Sequence, residues 1–141
     1  RTVSGIFADD GENKFRKIEA NVLNEVADFE NIVISTGGGT PCFYDNMQRM
    51  NAAGVTVYLK ASPEELARRL EINKNTRPLI KDKSKEELKN FIAENLLKRE
   101  PFYNQASIVF EVEKMTTQTD VQNIINRLIE QISIFTENKK Q

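Results

Sequence analysis

The stretch that most constrains this chain is residues 31–41, which read Asn-Ile-Val-Ile-Ser-Thr-Gly-Gly-Gly-Thr-Pro. Ile32, Val33 and Ile34 form a short apolar run, β-branched throughout. That suits a strand buried on both faces of a parallel sheet, although a run this short also fits a buried helix. The run gives way to Gly37-Gly38-Gly39. Consecutive glycines lose much conformational entropy on folding and supply no side chains to a core. Two readings follow: a flexible turn, or bare backbone at the carboxyl end of a strand, where open α/β sheets dock ligands.

The rest of the chain alternates helix and strand signals. Val3, Ile6 and Phe7 have helical spacing without a capping residue, and Asp9-Asp10-Gly11-Glu12 reads as a turn. Phe15, Ile18, Val22, Val26 and Phe29 make one apolar stripe. Glu19 projects inside that stripe with Arg16 one turn back, either as a surface ion pair or as a glutamate holding an arginine ready for an anionic ligand. Asp45 or Asn46 caps a short helix through Met47 and Met50, ended by Gly54. Residues 55–59 form a second strand.

Ser62-Pro63-Glu64-Glu65 opens a helix with Leu66 and Leu70 on its buried face and Arg68 and Arg69 flanking it. Residues 73–87 are polar, with Arg77-Pro78 in the middle, and read as a lid or as a solvated connection. Ser84 and Glu87 start a helix that buries Leu88, Phe91, Ile92 and Leu96 and ends near Arg99-Glu100-Pro101. Ile108, Phe110 and Val112 alternate in a third strand. Thr119 and Gln122 cap a last helix with Val121, Ile124, Ile125, Leu128 and Ile132 inward. Residues 136–141 are expected to be a frayed polar tail. Strands alternating with helices predict one α/β domain over 1–141 with a parallel sheet.

Composition narrows the chemistry. There is no histidine, which removes Ser-His-Asp and Cys-His machinery and helix-borne zinc sites. A single cysteine, Cys42, excludes an internal disulfide and suits a reducing, cytoplasmic compartment. Lys and Arg number 20 against 21 Asp and Glu with no basic stripe, so nucleic acid is not expected as a partner. No apolar run approaches the length of a membrane span. An enzyme built from these residues works with carboxylates, arginines and backbone amides, as phosphoryl transfer does.

Taken in order, Phe15-Arg16-Lys17-Ile18-Glu19, Val33-Ile34-Ser35-Thr36-Gly37-Gly38-Gly39, Arg77-Pro78-Leu79-Ile80, and Arg99 with Tyr103 closely resemble the shikimate kinase family across nearly the whole chain. The resemblance implies a P-loop kinase fold of the nucleoside-monophosphate-kinase type, three layers around a five-stranded parallel sheet. It implies transfer of the ATP γ-phosphate to the 3-hydroxyl of shikimate, with Mg2+. By the same resemblance Arg16 and Arg99 grip the shikimate carboxylate and Glu19 orients Arg16. Gly38 donates its amide to a substrate hydroxyl, and Gly37 and Gly39 allow close approach. Arg77 is implied as the catalytic lid arginine over the phosphates, and Arg69 as a weaker match near the adenine. A monomer is expected.

The family's first strand, P-loop, following helix and second strand have no counterpart here, because none of the six glycines stands in a G-x-x-x-x-G-K-[ST] pattern. Those elements, with the metal ligands, are expected upstream, and residues 1–141 by themselves are expected to be inactive and poorly stable. Alternatives to a shikimate kinase are a related P-loop kinase of the gluconate type and a non-catalytic shikimate-binding module.

Overall fold

In the computed structural model, residues 1–77, 79–112 and 115–140 are described. Pro78 of the Arg77-Pro78 motif and Gln141 of the expected tail lie outside them.

The chain opens with α1, Val3–Val26. Thr2 caps it by accepting from the Gly5 amide, a cap that the sequence reading missed. The turn expected at residues 9–12 shrinks to a kink at Gly11, which leaves helical geometry at φ 80° and ψ 171°, a conformation glycine adopts without a Cβ penalty. The apolar stripe is narrower than expected. Leu23 is buried and Phe15, Ile18 and Val26 are half-buried, but Val22 is exposed and Phe29 lies beyond the helix end, also exposed.

The strand expected at residues 32–34 is not formed. A strand is defined by its pairing. Among the described residues nothing pairs with this run, and Val33 is 98% exposed. A 3-10 turn at Thr40–Cys42 leads into α2, Asn46–Ala53, which ends at Gly54 as expected. Next come β1, Val57–Lys60, α3, Pro63–Ile72, and α4, Lys85–Tyr103. Ser62 and Ser84 cap the two helices by accepting from the Glu65 and Glu87 amides. Pro101 does not end α4, which runs on through Tyr103 and so presents Arg99 and Tyr103 one turn apart on the same side.

β2, Ile108–Glu111, pairs parallel with β1, Val57 opposite Ile108 and Lys60 opposite Glu111. α5 then spans Gln118–Lys139, so most of the expected frayed tail is helical. Its cap is Thr117 in a capping box with Asp120, not Thr119 with Gln122. Ile124, Leu128, Ile132 and Phe135 of α5 cover Ile108, Phe110 and Val112, while Val121 and Ile125, expected inward, are exposed.

Against the opposite face α4 packs, its Tyr103 ring 5.0 Å from that of Tyr58. Helix, parallel pair and helix make three layers. A second core joins Ile80, Leu88 and Ile92 to Leu66 and Leu70, so the connection between α3 and α4 is anchored at Ile80. Among the described residues no helix is long and apolar enough to cross a membrane.

Candidate functional site

The glycine loop is held by its carbonyls and left open at its amides. The Gly37 carbonyl accepts from Thr40 N at 3.1 Å and the Gly39 carbonyl from Cys42 N at 2.9 Å, closing the turn. The Gly38 carbonyl accepts from the Tyr103 hydroxyl, with the Cys42 thiol at 3.9 Å. The amides of Gly38 and Gly39 donate to no acceptor among the described residues. Two consecutive N–H groups left without a protein acceptor suit an acceptor oxygen or an anion.

Two guanidinium groups close on this backbone from opposite directions in sequence. α1 delivers Arg16, whose side chain is only 12% exposed. Its Nη1 donates to Oε1 of Glu19 at 3.0 Å, while Nε and Nη2 reach Oε1 of Glu12 at 3.3 and 3.2 Å. The guanidinium also lies over the Phe43 ring, 4.1 Å from its centroid. Glu19, itself 15% exposed, spends its second oxygen on the Thr40 hydroxyl at 2.8 Å. One carboxylate therefore ties α1 to the glycine turn and fixes Arg16 at the same time. Thr40 is held in turn by the buried Asn46, whose Nδ2 donates to the Thr40 carbonyl.

Arg99 comes from α4. A Cβ built on Gly38 would stand 3.1 Å from its Nη1, so the group rests directly on the loop. Among the described residues no carboxylate lies within ion-pair distance of it. An arginine resting on this loop with no counter-ion among the described residues is a place for an anion, and its planar fork suits a carboxylate. Cys42 registers both charges. Burial raises its thiol pKa above the usual value, and the Arg99 and Arg16 charges pull it the other way.

Arg16, Glu19, Gly37, Gly38, Gly39 and Arg99 are thus brought together. Arg77 and Arg69 are not part of that cluster. Arg77 is exposed in the loop after α3, and Arg69 is tied to Glu65 on its own helix at 2.9 Å. The hydrogen bond from Arg68, and then that from Arg69, hold the Glu65 carboxyl down to about 2 against the opposing effect of burial. A separate cleft of about 770 Å³ opens at the carboxyl ends of both strands, lined by Lys60, Ser62, Glu65, Glu100 and Glu111.

The shikimate kinase family model matches residues 1–132. The chain belongs to the shikimate kinase family. It is 61% identical to a shikimate kinase of Parabacteroides distasonis over 92% of this chain and 75% of that protein. It is 46% identical to one of Bacteroides thetaiotaomicron over 95% of this chain and 77% of that protein. A crystal structure of shikimate kinase from Bacteroides thetaiotaomicron superposes with a TM-score of 0.88 at 47% identity, covering 94% of this chain and 76% of the other. The α/β fold with a parallel sheet is therefore that of the P-loop kinases, and the gluconate-kinase alternative is set aside.

Several residues of this shikimate kinase site escaped the sequence reading. Glu12 was assigned to a turn, although its spacing four residues before Arg16 is a legible helical pair. Thr40 and Phe43 carried no signal, because their contacts with α1 span more than one element. Tyr58 and Glu100 are joined at 3.2 Å behind Tyr103, and the Tyr58 hydroxyl pKa is pushed up to about 12, first by burial and then by the Glu100 charge. Among the described residues no group of three or more Asp, Glu, Cys or His converges as a metal site, and Glu12 and Glu19 are both engaged by Arg16. These described residues do not fit a bound Mg2+.

Proposed function

We propose that this chain supplies the shikimate-binding part and the lid of an ATP-dependent kinase that phosphorylates the 3-hydroxyl of shikimate. In that reaction the hydroxyl oxygen forms a bond to the γ-phosphorus as the bond from phosphorus to the ADP oxygen breaks, and the hydroxyl proton is released to solvent. The observation that carries the reading is the guanidinium of Arg99, which has no counter-ion among the described residues, together with the pre-oriented Arg16, both against the glycine backbone. Arg16 and Arg99 grip the substrate carboxylate and Glu19 orients Arg16. Gly38 gives its amide to a ring hydroxyl, with Gly37 and Gly39 letting the ring approach. Arg77 closes over the ATP phosphates, where charge spreads in the transition state. Residues 73–87 form the lid, and Arg69 lies toward the adenine. Mg2+ accompanies ATP on ligands other than these. The free cysteine supports a reducing, cytoplasmic setting, and a monomer suffices for this site.

The test is calorimetric titration of the full-length protein and its Arg99→Ala variant with shikimate, beside an ADP-release assay. Shikimate binding and turnover in the parent, both lost or weakened at least about thirtyfold in the variant, are expected. Equal shikimate affinity in the two proteins sinks the assignment.

A further inference from the structure

One side chain grips the glycine loop without belonging to the substrate contacts just described. The Tyr103 hydroxyl donates to the Gly38 carbonyl, 65 residues away in sequence. That carbonyl shares a peptide plane with the Gly39 N–H, one of the two bare amides. A bond to one end of a peptide unit both fixes the plane and polarises the donor at the other end.

Tyr103 is in turn built into the sheet. Its ring packs 5.0 Å from that of Tyr58 of β1, the two planes tilted by 44°. Tyr58 donates to Glu100 at 3.2 Å, and Glu100 lies 3.9 Å from Lys60 Nζ. Strand, helix and glycine loop are therefore coupled through a single hydroxyl. Glycine has the widest backbone freedom of any residue, so three in succession hold no plane of their own. Without that hydrogen bond, among the described residues only the 3.9 Å contact from the Cys42 thiol, a weak donor, reaches the carbonyl.

We propose that Tyr103 is a positioning residue, holding the Gly38–Gly39 peptide so that its one N–H, that of Gly39, faces the hydroxyl side of the substrate next to the Gly38 amide. This rests on the shikimate reading of the site. Arg99, one turn earlier on α4, sits beside the same glycine, its Nη1 and the Tyr103 hydroxyl 3.1 and 3.3 Å from where a Gly38 Cβ would be. One helix turn thereby sets both the anion grip and the backbone donors.

The test uses Tyr103→Phe in the full-length protein, which keeps the ring contact and removes only the hydroxyl. The Gly39 amide proton resonance is expected to move upfield, and shikimate affinity to fall about threefold to tenfold, the size of one hydrogen bond. ATP affinity and melting temperature should hold. Shikimate analogues lacking one ring hydroxyl each supply the second arm. The analogue without the hydroxyl met by the amides should bind parent and variant alike. An unmoved Gly39 resonance, shikimate affinity within twofold of the parent, or an equal loss of ATP and shikimate affinity with a lowered melt would each overturn the proposal. A parent protein that binds no shikimate would instead overturn the functional reading on which it rests.

Discussion

A β-carbon on Gly39 would stand 2.6 Å from Nη2 of Arg16 and 2.8 Å from its Nη1. Real Cβ atoms are essentially never that close to another heavy atom, so the guanidinium occupies space that only glycine leaves. Glu19, Glu12 and the Phe43 ring already hold the arginine, which restricts its retreat. Gly39→Ala should therefore displace Arg16 and destabilise the fold by about 1–3 kcal/mol, as overpacking does, with loss of shikimate affinity. At Gly37 the nearest atom would be 3.5 Å away, an ordinary contact, so Gly37→Ala should be tolerated better. Melts and titrations of the two variants check the contrast, and equal behaviour would refute it.

The two arginines should not be replaceable by lysine. Arg16 engages all three of its side-chain nitrogens, and Arg99 presents a planar fork that a point charge cannot copy. Removing either by Ala should weaken shikimate binding by about 2–5 kcal/mol, and Lys should restore little of it. Calorimetry on the four variants is the measurement. Recovery to within twofold in Arg99→Lys would mean that charge alone suffices.

What was legible in the sequence follows from what each pattern encodes. Three glycines announce close approach to backbone, and they are where Arg16, Arg99 and Tyr103 converge. Which arginine abuts which glycine was not legible, because it depends on how α1 and α4 pack against the loop. Residues 32–34 have strand composition, yet a strand exists only through its neighbours and here has none among the described residues. At α5 two overlapping patterns, Thr117 with Asp120 and Thr119 with Gln122, satisfy the same capping rule. The carboxylate of Asp120 decides between them, because it accepts from the Thr116 and Thr117 amides at 3.1 and 3.0 Å. The apolar arc of α5 is wider than the face that β2 covers, so Val121 and Ile125 read as core and are not.

The two glutamates around Arg16 should differ in weight. Glu12 is 55% exposed, and its pair with Arg16 is screened by water. Glu12→Ala should cost about 0.2–1 kcal/mol of stability. Glu19 is largely buried and serves Arg16 and Thr40 together. Glu19→Ala strands both donors and should cost more, about 1–3 kcal/mol for each unsatisfied group, with a matching fall in shikimate affinity. Denaturant melts rank the variants, and a larger loss in Glu12→Ala would reverse the assignment of roles.

Arg77 is exposed, three residues before the buried Ile80 that anchors its loop to α3 and α4. An exposed cation on an anchored loop can act on a bound phosphate without altering the shikimate pocket. Arg77→Ala should lower kcat by about a hundredfold, the effect of removing one transition-state charge donor, with shikimate affinity unchanged. Steady-state kinetics of the full-length variant decide it. Unchanged turnover would return residues 73–87 to the status of a solvated connection.

The Tyr58 hydroxyl offers a pH test of the wall behind the glycine loop. Burial first, then the charge and hydrogen bond of Glu100, and last Tyr103 together raise its pKa from 10.0 to about 12. Each disfavours phenolate in the fold, so the unfolded chain ionises first. A group whose folded pKa is raised contributes stability that is whole below its unfolded pKa and is lost as pH climbs through the folded one. The stability difference between the parent and Tyr58→Phe should accordingly be constant below pH 10 and change between 10 and about 12, in the direction of losing the tyrosine's contribution. Phenolate absorbance gives a direct check, since the chain has only three tyrosines. A titration step near 12 should vanish in Tyr58→Phe. If that step survives in the variant, the hydroxyl titrating there is another tyrosine, and burial does not hold Tyr58 neutral.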